Sequence, residues 1–385
     1  MHLLIQGSPG IGKTTLVKEL VKKKPSLRGF YTEEIREKGK RLGFKVKTIS
    51  GEEAVFAHIN FSTPFKVSRY KVDIDIFNRV VIKELNECLS QNCEYLVIDE
   101  IGKMELFSEK FKQILWQILQ KKKTISTLPL KGGSPFLEKV RSLPSVSLLQ
   151  LTKENYSQIL NYAQIFLNTV PLEKIRKWEE KAKKVGLNER ILIENASYEL
   201  ASLIKKLNLG NKGVVIAGRG NNGADVLSCA RKLLGKGYQV EIVVLNYNRA
   251  GEEVKFQVSI LEKIKKIHFV DTEEDLRILK SVLKKNKDFI LDGILGIGIK
   301  GEPTPFIKKV IEQINASKSK IVACDIPSGL SPLQGAVHPF IVKADYTVTF
   351  VAPKEGFFLN KGLDFCGEIF IADIGISRQL LEKLN

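Results

Sequence analysis

Near the start of the chain, Gly7, Ser8, Pro9, Gly10, Ile11, Gly12, Lys13 and Thr14 have the types and order that hold a triphosphate, G-x-x-x-x-G-K-[ST]. Backbone N–H groups of such a loop, with the N-terminus of the helix that follows, cradle phosphate oxygens. Lys13 neutralises the β and γ oxygens, the Thr14 hydroxyl ligates Mg2+, and the glycines leave room where a Cβ would clash. A second segment, Leu96-Val97-Ile98-Asp99-Glu100, is an apolar run that closes on two carboxylates. Asp99 then stands near the Mg2+ shell, and Glu100 can polarise an attacking water. A complete phosphate loop together with these adjacent acids favours hydrolysis over binding alone.

Further along, Gly218-Arg219-Gly220-Asn221-Asn222-Gly223 satisfies G-x-G-x-x-G, which by itself suggests a dinucleotide fold of the dehydrogenase type. A dehydrogenase would end its next strand in an acid that holds the ribose, whereas the apolar run 240–245 ends in Asn246. Turn formation and helix capping are an equally good reading of the two asparagines and Asp225. Two more loops carry polar groups behind apolar runs: the glycine-rich stretch from Asp292 to Glu302, and Cys324-Asp325-Ile326-Pro327-Ser328-Gly329. Loops at the carboxyl ends of parallel strands converge on one crevice.

Such placement requires alternating strands and helices. In the first half the pattern predicts strands at 2–6, 95–99, 124–128 and 146–151, and helices at 14–23, 75–90, 109–122 and 153–167. A hairpin, 29–37 and 41–49 around Lys38-Gly39-Lys40, interrupts them. The break at 168–171, with proline after a helix end, sets a boundary between domains 1–170 and 171–385. Beyond it come a helical stretch at 172–207, interrupted near Gly186, and strands at 213–217, 240–245, 289–291, 321–324 and 345–350. Both halves therefore read as α/β, doubly wound domains.

At 385 residues the chain is long enough for two cores, and 43% hydrophobic with 27% charged residues fits neither a disordered nor a membrane protein. No apolar run approaches the ~18 residues of a membrane span, and we place the chain in the cytoplasm. Five scattered cysteines and four scattered histidines give neither a disulfide framework nor a zinc pattern. A net charge of +18 raises nucleic acid as a partner, but lysine runs such as Lys22–Lys24 and Lys121–Lys123 sit at predicted helix ends, where they complement the dipole. The anionic partners expected are small nucleotides.

The first 170 residues resemble the small P-loop nucleoside-triphosphatases first described from thermophiles. The likeness runs through the phosphate loop, Gly29-Phe30-Tyr31-Thr32-Glu33-Glu34-Ile35-Arg36, Val97 to Glu105, and Pro135-Phe136. It implies Mg2+-dependent hydrolysis of several nucleoside triphosphates, with the segment from Asp99 to Lys103 in the nucleotide site. Family members often carry Asn-Arg where this chain has Asn155-Tyr156.

Residues 172–377 resemble the NAD(P)H-hydrate epimerases, through the three loops above, Glu194-Asn195-Ala196 and Ala352-Pro353-Lys354. The resemblance implies a Rossmann-like fold and a substrate, hydrated NADH or NADPH, lined by Asn221, Asn222, Gly223, Ala224, Asp225, Gly296, Ile297, Gly298, Ile299, Lys300, Gly301, Glu302 and Asp325. It also implies K+ held by Asn222, Asp292 and Ser328, an all-oxygen set suited to a hard cation. Asp325 is then the acid/base candidate, with Lys300 orienting it or stabilising charge. The family pattern has glycines where this chain has Ala224 and Val226; Ala224 narrows the loop if its φ is positive, and Val226 is expected to point toward packing. The matched regions reach the end of the chain, so the dehydratase of the same repair route is expected as a separate polypeptide. A nucleotide-gated sensor and a nucleic-acid-dependent ATPase are the alternatives, separated from the enzyme reading by turnover and by stimulation with DNA or RNA.

Overall fold

The computed structural model describes residues 1–90, 93–284, 287–299 and 301–376, so Lys300 lies outside the described residues. The chain divides into two compact units, Met1–Leu167 and Asn168–Asn385. No helix among the described residues is long and apolar enough to cross a membrane.

The first unit runs β1 (His2–Gly7), α1 (Lys13–Lys23), β2 (Arg28–Glu37), β3 (Lys40–Thr48), β4 (Glu53–His58), β5 (Lys66–Val67), β6 (Tyr70–Val72), α2 (Ile74–Ser90), β7 (Tyr95–Ile98), α3 (Glu109–Lys121), β8 (Lys123–Pro129), α4 (Pro135–Arg141), β9 (Val146–Gln150) and α5 (Tyr156–Phe166). Its sheet has the order β5-β6-β4-β3-β2-β7-β8-β1-β9. The run β2-β7-β8-β1-β9 is parallel, and β1 is a continuous apolar run because both its faces are covered: Leu3, Leu4 and Ile5 are fully buried. On one face Phe30, Phe77 and Phe111 pack edge to face with ring centres 5.5 to 5.9 Å apart, each ring contributing about 2–3 kcal/mol of burial.

Past β2 the sheet turns antiparallel. The expected hairpin is β2–β3, closed by Lys38 and Gly39, both at positive φ as a two-residue hairpin turn demands. It is extended by β4, β6 and β5, for which the sequence pattern predicts no elements. These strands are short and carry charged residues at several positions, so they show little apolar alternation.

The second unit runs α6 (Leu172–Lys184), α7 (Glu189–Lys206), β10 (Lys212–Ala217), α8 (Asn221–Gly235), β11 (Gln239–Leu245), α9 (Glu252–Leu261), β12 (Ile267–Val270), α10 (Leu276–Lys284), β13 (Phe289–Gly293), α11 (Pro305–Asn315), β14 (Lys320–Cys324), β15 (Tyr346–Phe350), α12 (Leu363–Cys366) and β16 (Glu368–Ala372). Its sheet is parallel throughout, in the order β12-β11-β10-β13-β14-β15-β16. Alternate residues of β10 serve two cores: Val215 and Ala217 pack with α7 and α8, Val214 and Ile216 with α10 and α11. The helical stretch before β10 breaks where expected, with Gly186 at φ +98 after α6 and the Asn188 side chain capping α7 by accepting from the Ile191 N–H at 3.0 Å. Chain order reverses between β10 and β13, the switch point at which such sheets bind ligands.

Candidate active sites

In the first unit, β1 delivers the phosphate loop to the carboxyl edge of the parallel strands. Gly12, just before α1, adopts φ +109, a left-handed conformation that favours glycine. The Lys13 ammonium donates to the Gly7 carbonyl at 3.0 Å and lies 3.4 Å from Glu100 Oε2. The Thr14 hydroxyl donates to Asp99 Oδ2 at 2.7 Å. β8 lies between β7 and β1 in the sheet, and its Thr127 hydroxyl donates to Asp99 Oδ1.

Burial pushes the carboxyl of the fully buried Asp99 upward, against the hydrogen bonds of Thr127 and Thr14 and the charge of Lys13. Burial likewise raises Glu100, with Lys13 opposing. Glu105, whose Oε2 accepts from the Gly102 N–H at 3.0 Å, is pushed up to about 8 by burial and by the neighbouring acids. Asp99 and Glu100 thus share one buried ammonium, and Glu105 adds a third carboxyl group near those two acids. An oxygen-rich cluster short of positive charge fits a hard divalent cation at Thr14 and Asp99.

These groups open on a cavity of about 780 Å³. Pro9, Gly10, Gly12, Lys13 and Thr14 line it from the loop, Glu100 and Lys103 from the segment after β7. The antiparallel extension forms its far wall with Arg36, Arg41, Phe44, Arg69 and Tyr70. Arg41 lies over the Phe44 ring and Arg69 over the Tyr70 ring, 5.5 and 5.3 Å from the ring centres. Tyr156 covers the loop from outside: a Cβ on Gly12 would stand 3.4 Å from its ring, and its hydroxyl donates to Glu19 at 2.9 Å.

In the second unit, residues 221–225 form the first turn of α8 rather than a free loop. Gly223 is required there, since a Cβ would come within 2.0 Å of the Gly218 carbonyl oxygen. Ala224 is helical and fully buried, so the positive φ that would have narrowed the loop does not arise. Val226 packs over Gly293, whose Cβ would lie 2.4 Å from a Val226 methyl. Asn221 is exposed and donates to Glu189.

Asn222, Asp292 and Ser328, far apart in sequence, meet around Leu295. The Asn222 amide donates to the Cys324 carbonyl at 2.7 Å and approaches that of Leu295 at 3.4 Å. The Ser328 hydroxyl accepts from the Leu295 N–H at 2.9 Å and donates to Asp292 Oδ1 at 2.6 Å. Asp292 is fully buried, receives the Ser328 and Ile294 N–H groups, and makes no ion pair among the described residues; burial pushes it up to about 6. A buried carboxylate without a cationic side chain, amid carbonyl and hydroxyl oxygens, fits a bound hard cation. Gly296 closes on Asn222, where a Cβ would stand 2.4 Å from the amide oxygen. The loop then runs to the surface: the Ile297 carbonyl meets Arg176 at 3.4 Å, Gly298 is open on its Cβ side, and Glu302 is exposed and ion-paired to Lys308 at 2.5 Å.

Asp325 directly follows β14 at φ +64, with its N–H bonded to the Val348 carbonyl at 2.7 Å. Its carboxylate pairs with the buried Lys354. Asp225 lies near Cys324, whose thiol sulfur is 4.0 Å from Asp225 Oδ2. Burial, then the charges of Asp325, Glu179 and Glu189, hold the Asp225 carboxyl well above the usual carboxylate range. Glu179, on α6, is raised by burial and by the charge of Asp325, with Lys354 opposing.

The family model described as NTPase matches residues 2–164, and the one described as YjeF-related protein N-terminus matches residues 189–356. Nucleoside-triphosphatase THEP1 of Thermotoga sp. (strain RQ2) is 38% identical over 161 residues, 42% of this chain and 92% of that protein. The NAD(P)H-hydrate epimerase of Elusimicrobium minutum (strain Pei191) is 32% identical over 227 residues, 57% of this chain and 100% of that protein. The chain belongs to both families. It is a fusion of a nucleoside-triphosphatase family member with an NAD(P)H-hydrate epimerase family member. Among solved structures, the crystal structure of THEP1 from the hyperthermophile Aquifex aeolicus is 35% identical, with a TM-score of 0.40, and covers 42% of this chain and 96% of that one.

Several groups in these sites carried no assignment from sequence. In the nucleoside-triphosphatase half they are Thr127, Glu105 and the arginines of the far wall; a threonine inside the buried strand β8 was the available signal. In the epimerase half they are Lys354 and Glu179. The available signal for Lys354 was a lone lysine between the apolar run of β15 and Phe357-Phe358. Nothing marked Glu179 among the alternating charges of α6.

Proposed function

We propose that the N-terminal unit hydrolyses nucleoside 5′-triphosphates to the diphosphate and phosphate with Mg2+, and that the C-terminal unit interconverts the R and S forms of hydrated NADH and NADPH with K+. The observation that carries the first activity is the approach of Lys13 to Glu100 beside the Thr14–Asp99 bond. Thr14 and Asp99 would hold Mg2+, which supplies charge neutralisation on the β- and γ-phosphates. Lys13 releases Gly7 for the phosphate oxygens, and Glu100 accepts a hydrogen bond from the attacking water and aims it at the γ-phosphorus. Lys103, on the cavity rim, is suited to the same phosphates.

The second activity rests on Asp325 standing one residue beyond the Cys324 carbonyl that holds Asn222. Asn222, Asp292 and Ser328 would hold K+, which supplies positive charge next to the substrate loops. The hydroxyl at C6 of the reduced ring leaves as water when it takes a proton from Asp325. Water then returns to the opposite face of C6 and gives its proton back to Asp325, so the balance closes with only the configuration changed. Residues 221–225 and 296–302 would line the nucleotide, with Lys300 as a charge-bearing member of that lining. The S-specific dehydratase that consumes the product would be a separate polypeptide, and the compartment the cytoplasm.

The deciding experiment supplies the purified full chain with the R form of hydrated NADH, K+ and an excess of S-specific dehydratase, and in parallel with Mg2+ and each common nucleoside triphosphate. Accelerated return of NADH and release of phosphate are expected. A chain that binds hydrated NADH without speeding R-to-S exchange would be a sensor, and the epimerase reading would fall.

A further inference from the structure

The Asp325 carboxylate is held on one side only. Oδ1 accepts from the Phe350 N–H at 3.0 Å and from the Lys354 ammonium, with the Thr349 hydroxyl 3.4 Å away. Oδ2 has no hydrogen bond among the described residues. Lys354 is itself fixed. It is 1% exposed, and besides Asp325 it donates to the Thr349 hydroxyl at 2.8 Å and the Phe350 carbonyl at 3.1 Å, so all three ammonium hydrogens are in use. The residue before it is tied down by the Val170 N–H, which donates to the Pro353 carbonyl at 3.2 Å. Asp325 meanwhile keeps a left-handed backbone that a non-glycine residue adopts only where its surroundings enforce it, a form of strain concentrated at functional sites.

We propose that Lys354 is a positioning residue for the C-terminal reaction, anchoring Asp325 through Oδ1 so that Oδ2 is the single atom exchanging protons with substrate. This rests on the epimerase reading above. Proton transfer needs the donor and acceptor within hydrogen-bond reach, and a carboxylate free to rotate about its Cβ–Cγ bond loses that alignment. With Oδ1 surrounded by donors, a proton arriving on Asp325 goes to Oδ2. The charged groups facing Asp325 are Lys354 from the segment after β15, Glu179 from α6 and Asp225 from α8. Without Lys354, Oδ1 keeps only the Phe350 N–H and the Thr349 hydroxyl as donors, and the carboxylate turns away from the substrate-facing alignment.

The test uses the full chain with the R form of hydrated NADH, K+ and excess S-specific dehydratase. Lys354→Met is expected to lower kcat at least ~10-fold with KM within about threefold. A purely structural role would lower the folded fraction and leave the kcat of the folded enzyme in place. If Lys354→Met does not fold, Lys354→Arg and Thr349→Val decide: the first keeps the charge with a different donor geometry, and the second removes one acceptor from Lys354. Both should lower kcat several-fold, roughly five, with KM in place. Parental kcat in folded Lys354→Met, a change confined to KM, or parental kcat in both alternative variants overturns the proposal. A parent chain that does not exchange the two forms overturns the epimerase reading and this inference with it, whereas turnover by the parent alongside an unaffected Lys354→Met overturns this inference alone.

Discussion

Lys13 and Glu100 stand 3.4 Å apart, yet their roles are separable, because one carries the charge that phosphate needs and the other the oxygen that water needs. Lys13→Ala and Glu100→Gln are each expected to lower phosphate release about 100-fold or more, measured with saturating Mg2+ and nucleoside triphosphate. Epimerisation by the same preparations should stay at the parent rate; a folded variant that loses both activities would show that the two sites are not independent. Asp325 allows the same separation in the second unit. Asp325→Asn keeps the shape and the hydrogen bond from the Phe350 N–H but cannot cycle a proton at Oδ2. Turnover should vanish while equilibrium binding of hydrated NADH persists, and comparable turnover in this variant would remove Asp325 from the chemistry.

Elements transmit these placements through half-buried polar ties. Glu194 on α7 accepts from Ser228, Arg231 and Lys232 of α8 at 2.8, 2.5 and 2.6 Å and so fixes the helix whose first turn carries Asn222 and Asp225. Burial pushes its carboxyl upward, but the three donors outweigh burial and hold it at about 2. A depressed carboxyl contributes stability that is present above the unfolded value of about 4.3 and is lost as pH falls toward the folded one. Because the side chain is 38% exposed, solvent screening limits that contribution to roughly 1 kcal/mol. Glu194→Gln should therefore be less stable than the parent in urea at pH 7, and the gap should close as pH is lowered from about 4.5 toward 2. A gap independent of pH would mean that shape, not charge, ties α7 to α8. Ala224 sits in the same helix in helical conformation, so Ala224→Gly is expected to lower stability by about 1 kcal/mol in urea titrations through lost helix propensity. A stabilising effect there would indicate a strained turn that the backbone does not display.

At the scale of the whole molecule, each unit has its own sheet and its own core, which is the condition for independent folding. The Val170–Pro353 hydrogen bond belongs to the second unit, so a cut after Leu167 preserves it. Expressed separately, residues 1–167 should retain nucleoside-triphosphate hydrolysis and residues 168–385 epimerisation, each with kcat within about threefold of the full chain. Aggregation of both pieces would show that neither unit folds without the other.

What could be read in the sequence is what a few consecutive residues determine. The phosphate loop, the G-x-G-x-x-G turn and the apolar strands around them are local: glycine conformations and alternating burial act over a handful of positions. The α/β class of both halves followed from that alternation. The charge-bearing partners are a different matter. Asp99 meets Thr127 28 positions away, and Asp325 meets Lys354 29 positions away, across neighbouring strands whose pairing no local rule specifies. Strands β4 to β6 gave no signal either, because they are short and partly charged, yet the extension they belong to walls the nucleotide cavity. Sheet order alone put Thr127 between Asp99 and the phosphate loop, and left one oxygen of Asp325 saturated and the other without a hydrogen bond among the described residues. The residue types were set by sequence, but which of their atoms are already engaged and which remain for a substrate is a property of contacts between distant segments, and only the tertiary structure decides it.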